Sequence, residues 1–413
     1  MPLQKLNNAL QLELDDLYAT GSAKGKEMVI VGVKPAENDK GPRYYVEGLG
    51  NKEFLKMNAN SYLGMSLRKE VIQAEEEAAR KFGVGPGAVR FISGTYKAHT
   101  VLEERLAKFH NREAGMIFSS AYVTSLGVLF PLIAKDTVLI SDELNHNCII
   151  VAIRLSRPAE KAIYNHNDMQ DFETKILDNI GKGKRVIAVT DGIFSMRGDN
   201  APLDKFVELC EKHNDKFDEG IISIIDDSHG IGAFGQTGRG TEEYCDTKVD
   251  IIIGTLGKSF GVNGGYVVAS KQIIEYLREK APMYIYSNPI TVPEASAALK
   301  AIEILDSPEG FKILQHLHKM TKRFEAGLKE AGYETIEGEH PVVPIMVRDT
   351  KKTSELVKFL VENGILATGL NFPVVPKGDE EIRIQISADH TKYDIDYAIE
   401  VLQKFQEKQQ SNN

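Results

Sequence analysis

The stretch Ile251-Ile-Ile-Gly-Thr-Leu-Gly-Lys-Ser-Phe-Gly261 decides the fold. Three isoleucines run into Gly254 without alternation, the pattern of a strand covered on both faces in a parallel sheet. Lys258 follows, alone among small and apolar neighbours, just past the end of that strand, where open α/β sheets place their ligands. An ammonium is costly to desolvate there, so its pKa is expected to fall and its neutral amine to become a nucleophile or Schiff-base former. Most lysines lie on the surface; the apolar approach and the surrounding glycines favour chemistry at this one.

Outward from that stretch the same arrangement repeats. Gly115-Met-Ile-Phe118 precedes a helix start at Ser119-Ser-Ala-Tyr122, and Thr137-Val-Leu-Ile140 precedes Ser141-Asp-Glu-Leu-Asn-His146. Val186-Ile-Ala-Val189 leads to Thr190-Asp-Gly-Ile-Phe-Ser195, and Ile221-Ile-Ser-Ile-Ile225 to Asp226-Asp-Ser-His-Gly230. Apolar strands that each end in polar, reactive residues predict an α/β fold: a mostly parallel, doubly wound sheet, helices on both faces, and a site along one rim. Leucines 3, 6, 10, 14 and 17 predict an amphipathic helix at the start. Residues 21 to 50 read as polar and Gly-rich, and Phe54 to Met57 as a short strand. Residues 293 to 333 read as helical. Strands near 342–347 and 382–386, with helices at 351–363 and 391–407, predict a smaller α+β domain at the C-terminal end. The expected division is 1–55 (helix and arm), 56–292 (large domain) and 293–413 (small domain).

The 413 residues, 42% of them hydrophobic, suffice for a large core and exceed one typical domain. A net charge of -9 disfavours a general nucleic-acid binder. Cys148, Cys210 and Cys245 have no paired spacing, which points to a reducing compartment and to neither disulfides nor a metal site. With no apolar signal core and no stretch long enough to span a bilayer, a cytoplasmic protein is expected. The polar tail Gln409-Gln-Ser-Asn-Asn413 is of low complexity.

Two phosphate-loop lookalikes fail. Gly257-Lys-Ser259 ends like a P-loop, but the first glycine of that pattern would fall on Ile252. Gly230-Ile-Gly-Ala-Phe-Gly235 matches a dinucleotide fingerprint by letter, yet Asp226 and Asp227 would repel a pyrophosphate. One cofactor uses all the rims together. A pyridine ring held as an electron sink needs a lysine for its aldehyde and an acid for its ring nitrogen. Lys258 supplies the first, and Asp226 could keep the nitrogen protonated through a charge-assisted hydrogen bond; a cap or turn residue is the competing reading for Asp226. His229 and Ser195 could reach the ring hydroxyl, and His146 could lie flat on the ring. Backbone amides at Ala121 and Tyr122, beside Ser120 at a helix start, could hold the phosphate, as could the Thr255 hydroxyl.

The motifs Asn60-Ser-Tyr-Leu-Gly-Met65, Arg90-Phe-Ile-Ser-Gly-Thr95, Ser141-Asp-Glu-Leu-Asn-His146, Asp191-Gly-Ile-Phe-Ser-Met196, Asp226-Asp-Ser-His229, Gly254-Thr-Leu-Gly-Lys258 and Arg383-Ile-Gln-Ile-Ser-Ala388 occur in one order across roughly residues 55 to 395. In this set the chain resembles the α-oxoamine synthases, fold-type I enzymes that use pyridoxal 5'-phosphate. The resemblance implies Lys258 as the Schiff-base lysine, Asp226 on the pyridine nitrogen, His146 stacked on the ring, and His229 and Ser195 at its hydroxyl. It further implies Arg383, helped by Asn60, on the amino-acid carboxylate, which suits a guanidinium fork on a strand. A homodimer is implied, with Ser287 and Asn288 reaching the phosphate of the partner subunit's cofactor.

Within the family, residues 189–196, 238–245, 284–288 and Phe372-Pro-Val-Val-Pro-Lys-Gly378 are most similar to the glycine C-acetyltransferase (2-amino-3-ketobutyrate CoA ligase) branch. The chain departs from that branch at Ala121-Tyr-Val123, where Cys-Phe-Asp is usual, and at Asn147-Cys148, which replaces Ala-Ser. The expected reaction joins a small amino acid, glycine favoured, to an acyl-CoA, releasing CoA and a 2-amino-3-oxo acid or α-amino ketone. The alternatives are a branch using a longer acyl-CoA, of the 8-amino-7-oxononanoate synthase or serine palmitoyltransferase kind, and, behind these, an aminotransferase.

Overall fold

The computed structural model describes residues 2–20, 23, 25–372 and 375–411. Gly21, Ser22 and Lys24 of the Gly-rich stretch, Pro373 and Val374 of the 372–378 motif, and Asn412 and Asn413 of the polar tail lie outside the described residues.

Seven strands build the central sheet: β1 (Ala114–Phe118), β2 (Thr137–Asp142), β3 (Glu160–Tyr164), β4 (Arg185–Asp191), β5 (Ile221–Asp226), β6 (Ile251–Thr255) and β7 (Gly265–Ala269). Their spatial order is β1-β7-β6-β5-β4-β2-β3. Only β7 runs against its neighbours, pairing antiparallel with β1 and β6. The remaining pairings are parallel. The unalternating isoleucines of β6 follow from helices on both faces. Ile252 packs into one layer with Leu102, Phe206 and Ile302. Ile251 and Ile253 pack into the other, with Val128, Leu129 and Ile149. Each such buried side chain contributes about 1.5–3 kcal/mol relative to exposure. Gly254 is required by close approach, since a Cβ there would stand 2.4 Å from Cζ of the buried Tyr266 on β7.

The order places β3 on one side of β2 and β4 on the other, so consecutive connections diverge beside β2. Register does the rest. Asp191 and Asp226, the last residues of β4 and β5, are direct partners across the ladder. Two carboxylates therefore end side by side on the rim that β6 continues toward Lys258.

A four-stranded antiparallel sheet forms a second layer near the C-terminal end: β8 (Glu334–Thr335), β9 (Val342–Met346), β10 (Thr368–Leu370) and β11 (Glu381–Gln385), in the order β8-β9-β11-β10. The helices Pro308–Glu330, Thr350–Glu362 and Lys392–Ser411 accompany it. The helical stretch 293–333 is in fact two helices, Val292–Leu305 and Pro308–Glu330. Ser307 caps the second by accepting the Gly310 N–H at 3.3 Å, and Pro308 at its first turn cannot continue the first.

The N-terminal segment holds more structure than its composition suggests. After the helix Pro2–Ala19, the strands Ile30–Lys34 and Arg43–Val46 pair antiparallel. Most of Ile30–Lys34 is exposed, so burial left no alternating pattern to read. Leu55–Lys56 pairs with Ile365–Leu366, which ties this arm to the C-terminal layer. A buried pair between Arg43 and Asp394 holds the same junction. Among the described residues, no helix is long and apolar enough to cross a membrane.

Candidate active site

The strand tips converge on a small cavity lined by Ala121, Tyr122, His146, Asp191, Asp226 and Lys258, with Cys148, Ile193, Ser228 and His229 completing its wall. The half-buried Lys258 amine is held down to about 8, first by desolvation and further by the Arg383 cation, while Asp226 pulls the other way. Its neutral fraction at pH 7 is therefore ~10%, against well under ~0.1% for an ordinary lysine.

Asp226 is buried and anchored at three points. Oδ2 accepts the Ser125 hydroxyl at 2.9 Å and the Cys148 thiol at 3.7 Å, while Oδ1 accepts the Ser228 N–H at 3.2 Å. Its neighbour Asp191 accepts the backbone N–H of His146 at 3.0 Å through Oδ2. Burial, with the Asp226 charge beside it, pushes the Asp191 carboxyl well above the usual range.

His146 caps the helix Asn147–Leu155, its Nδ1 accepting the Cys148 N–H at 3.2 Å. A backbone N–H can only donate, so the neutral ring carries its proton on Nε2. Burial favours that neutral form. His229 is likewise pushed well below its usual range by burial and the Lys258 cation, and its Nδ1 lies 2.7 Å from the Tyr62 hydroxyl.

The helix Ala121–Leu132 begins against the same rim. Ser120 caps it, accepting the Val123 N–H at 3.2 Å, while the N–H groups of Ala121 and Tyr122 find no partner among the described residues. They are the open donors of a helix start, at its positive end. Gly265 lets β7 approach, since a Cβ there would stand 2.5 Å from the Ala121 nitrogen. The Thr255 hydroxyl accepts the Gly257 N–H at 3.1 Å and lies 3.3 Å from the Gly264 carbonyl.

Arg383 extends from β11, donating from Nε to the Ser195 carbonyl at 2.5 Å and from Nη2 to Asn60 Oδ1 at 3.2 Å. Asn60 and Ser195 are thus brought to the arginine, Ser195 through its backbone. Ser287 and Asn288 do not line the cavity; they follow the short helix Pro282–Ile285 in a surface turn beside the largely exposed Tyr286.

Sequence reasoning missed Tyr62 and Ser125 as supports of His229 and Asp226, and met Cys148 only as a departure from a pattern. Nothing local marks a hydroxyl that bonds a side chain 101 or 167 residues away. Asp191 could have been found, since it closes an apolar strand as Asp226 does.

The buried atoms Asp191 Oδ1 and Ser228 Oγ line this cavity without partners. With an anchored carboxylate, a depressed lysine and open helix N–H groups, these residues fit pyridoxal 5'-phosphate. The family described as "Aminotransferase class I and II" matches residues 52–402. The chain belongs to it. This is a pyridoxal-phosphate-dependent family, and this member falls among its α-oxoamine synthase relatives. An 8-amino-7-oxononanoate synthase from Thermosipho melanesiensis is 39% identical over 378 residues, 91% of this chain and 93% of that one. The Bacillus subtilis 8-amino-7-oxononanoate synthase 1 is 37% identical over 375 residues, 90% and 92% of the two chains. Among solved structures, a Sphingomonas wittichii serine palmitoyltransferase superposes with a TM-score of 0.86 at 26% identity, covering 96% of each chain.

This confirms the fold-type I architecture and the cofactor, and it alters the branch. The glycine C-acetyltransferase assignment is not supported; the relatives carry names from the alternative, longer-acyl group. The four segments resembling the acetyltransferase are too short to outweigh identity spread over the whole chain.

Proposed function

We propose that this protein condenses alanine with the thioester of a seven-carbon dicarboxylic acid, releasing carbon dioxide, the free thiol and 8-amino-7-oxononanoate. The observation behind this choice is that relatives at 36–39% identity along nearly the entire chain are named for that product. The name itself gives the substrates. Carbons 1 to 7 of a nonanoate bearing a 7-oxo group are a dicarboxylic acyl unit, and carbons 8 and 9 with the amine are alanine without its carboxyl carbon. Glycine would leave no methyl at carbon 9.

Pyridoxal phosphate, when bound, supplies an aldehyde for an amine and a protonated ring that stabilises negative charge at the substrate Cα. The chain's own groups do the rest. Lys258 would hold the cofactor through its aldehyde, and its amine, neutral in part at pH 7, would take the Cα proton of the substrate. Asp226 keeps the ring nitrogen protonated, and its three donors hold it on target. His146, which lines the same cavity, would lie beside the ring and offer its Nε2–H to the thioester oxygen. His229, set by Tyr62, and Ser195 serve the ring hydroxyl. Ser120, Ala121, Tyr122 and Thr255 hold the phosphate, joined by Ser287 and Asn288 from the second copy in a homodimer. Arg383 and Asn60 bind the amino-acid carboxylate.

A panel of acyl-CoAs from acetyl to palmitoyl, including the seven-carbon dicarboxylic thioester, tested against glycine, alanine and serine decides the matter. The expected result is fastest thiol release with alanine and the dicarboxylic thioester, with the amino ketone identified by mass. Fastest release with glycine and acetyl-CoA would overturn the proposal.

A further inference from the structure

The loop after β4 carries Ser195, whose carbonyl receives Arg383, so whatever holds that loop sets the direction of the guanidinium. The loop is folded tightly on itself: Phe194 N–H donates to the Asp199 carbonyl at 3.0 Å, and Gly198 N–H to the Phe194 carbonyl at 2.8 Å. Among the side chains that tie it to the sheet, His166 reaches both a strand end and the loop. His166, after β3, places Nδ1 3.1 Å from Asp142 Oδ1 and Nε2 3.1 Å from Asp199 Oδ2. Asp142 is the buried last residue of β2, and Asp199 belongs to the loop. The edge of the His166 ring meets the Phe194 ring at 4.3 Å between centroids.

Both ring nitrogens face carboxylate oxygens, and an ionised carboxylate only accepts. Asp142 is an acceptor already, receiving the N–H groups of Leu144 at 2.8 Å and Asn167 at 2.9 Å. Asp199 receives Arg197 Nε at 2.9 Å. Both imidazole nitrogens must therefore carry protons. Around the ring, Glu143 accepts the His166 backbone N–H at 2.9 Å, and the Asn167 amide nitrogen, 3.3 Å from Nε2, donates to the Asn200 carbonyl at 3.2 Å. Arg197, beyond Asp199, is the nearby cation, and Glu381 on β11 lies close enough to feel both.

We propose that His166 is a positioning residue: held as an imidazolium between Asp142 and Asp199, it fixes the loop whose Ser195 carbonyl aims Arg383 at the substrate carboxylate. This rests on the reading of Arg383 given above. Despite partial burial, which opposes the charge, the two carboxylates lift the ring to about 9, so the clamp is closed at neutral pH and opens in alkali. A role confined to stability would leave carboxylate binding unchanged in a folded enzyme.

The test uses holoenzyme and propionate, a carboxylate without an amine that would itself titrate. Its Kd is read from perturbation of the cofactor's visible absorbance. Wild type is expected to weaken as pH rises from 7.5 to 10. His166→Gln, which cannot donate to both carboxylates, should bind about tenfold more weakly at pH 7.5, the scale of one hydrogen bond to a charged group, and change little with pH. His166→Lys, which keeps the cation, should recover most of the affinity at pH 7.5. Asp199→Asn provides the same reading should the glutamine variant not fold. Arg383→Ala should lose propionate altogether. Normal binding by His166→Gln beside a defective Arg383→Ala overturns the clamp alone; normal binding by Arg383→Ala overturns the role of Arg383 itself.

Discussion

Replacing Arg383 with lysine separates binding from chemistry at this site. Of the five guanidinium N–H donors, one on Nε goes to Ser195 and one on Nη2 to Asn60. The Gln385 side-chain oxygen takes one Nη1 donor; the other Nη1 donor and the second on Nη2 remain, enough for two parallel bonds to a carboxylate. An ammonium has three donors around one point. Lysine at 383 that keeps Ser195 and Asn60 has one donor left, so one charge-assisted bond to substrate is lost, about 1.5–3 kcal/mol. That corresponds to an increase of ~10- to 150-fold in the KM for alanine, with kcat changed far less, because the carboxylate is gripped before and during proton removal. The assay is thiol release at saturating acyl thioester with alanine varied. A KM within twofold of wild type, accompanied by a collapse in kcat, would refute the reasoning and move Arg383 from the carboxylate to the reacting atoms.

The depressed Lys258 should show in the uptake of pyridoxal phosphate by apoenzyme. With a pKa of about 8, the neutral fraction and the uptake rate rise ~10-fold from pH 7 to 9 and then level off, whereas an ordinary lysine would give ~100-fold with no plateau. Gly254→Ala drives a Cβ to 2.4 Å from the Tyr266 ring and threatens the 2.9 Å bond between its hydroxyl and His110. Overpacking and one unsatisfied buried group together predict a loss of about 2–5 kcal/mol in urea unfolding, and a loss under about 0.5 kcal/mol would contradict the close approach. His166 has its folded pKa raised from 6.5 to about 9, so its stabilisation is complete below pH 6.5 and disappears as pH climbs through 9. The gap in unfolding midpoint between wild type and His166→Gln should therefore narrow from pH 6 to pH 10; a gap that widened would reverse the sign assigned to this group.

Some of this was legible because it is local. Three isoleucines followed by glycine and lysine already contain the buried strand, the rim and the reactive amine, since a strand's environment is written in its own period. The acid ending the next strand was readable for the same reason, and parallel register then set Asp191 and Asp226 side by side without further information. The exposed strand Ile30–Lys34 was not readable, because its pairing with Arg43–Val46 buries little and leaves no periodic trace. The break at Asp306–Ser307 was there to be read in Ser-Pro, but the helical propensity on either side masked it.

The departures from the acetyltransferase pattern carry the more instructive lesson. Tyr122 and Asn147 looked like two unrelated exceptions, 25 residues apart. In the fold they are one feature: the Tyr122 hydroxyl donates to Asn147 Oδ1 at 2.9 Å, joining the starts of two helices above His146. Cys148, beside them, puts its thiol on Asp226 and its backbone N–H on His146. Three residues that a linear comparison scores as separate mismatches thus form a connected wall around His146 and Asp226 in the cavity. A wall replaced as a unit implies a different occupant beside it, and that is the physical reason to expect another acyl group here. Tyr122→Phe tests the connection directly: with the bond to Asn147 gone, discrimination between acetyl and longer acyl thioesters should change by about 0.5–1.5 kcal/mol, up to ~10-fold in the ratio of kcat/KM values. An unchanged ratio would leave the pair a structural link with no part in choosing the acyl chain.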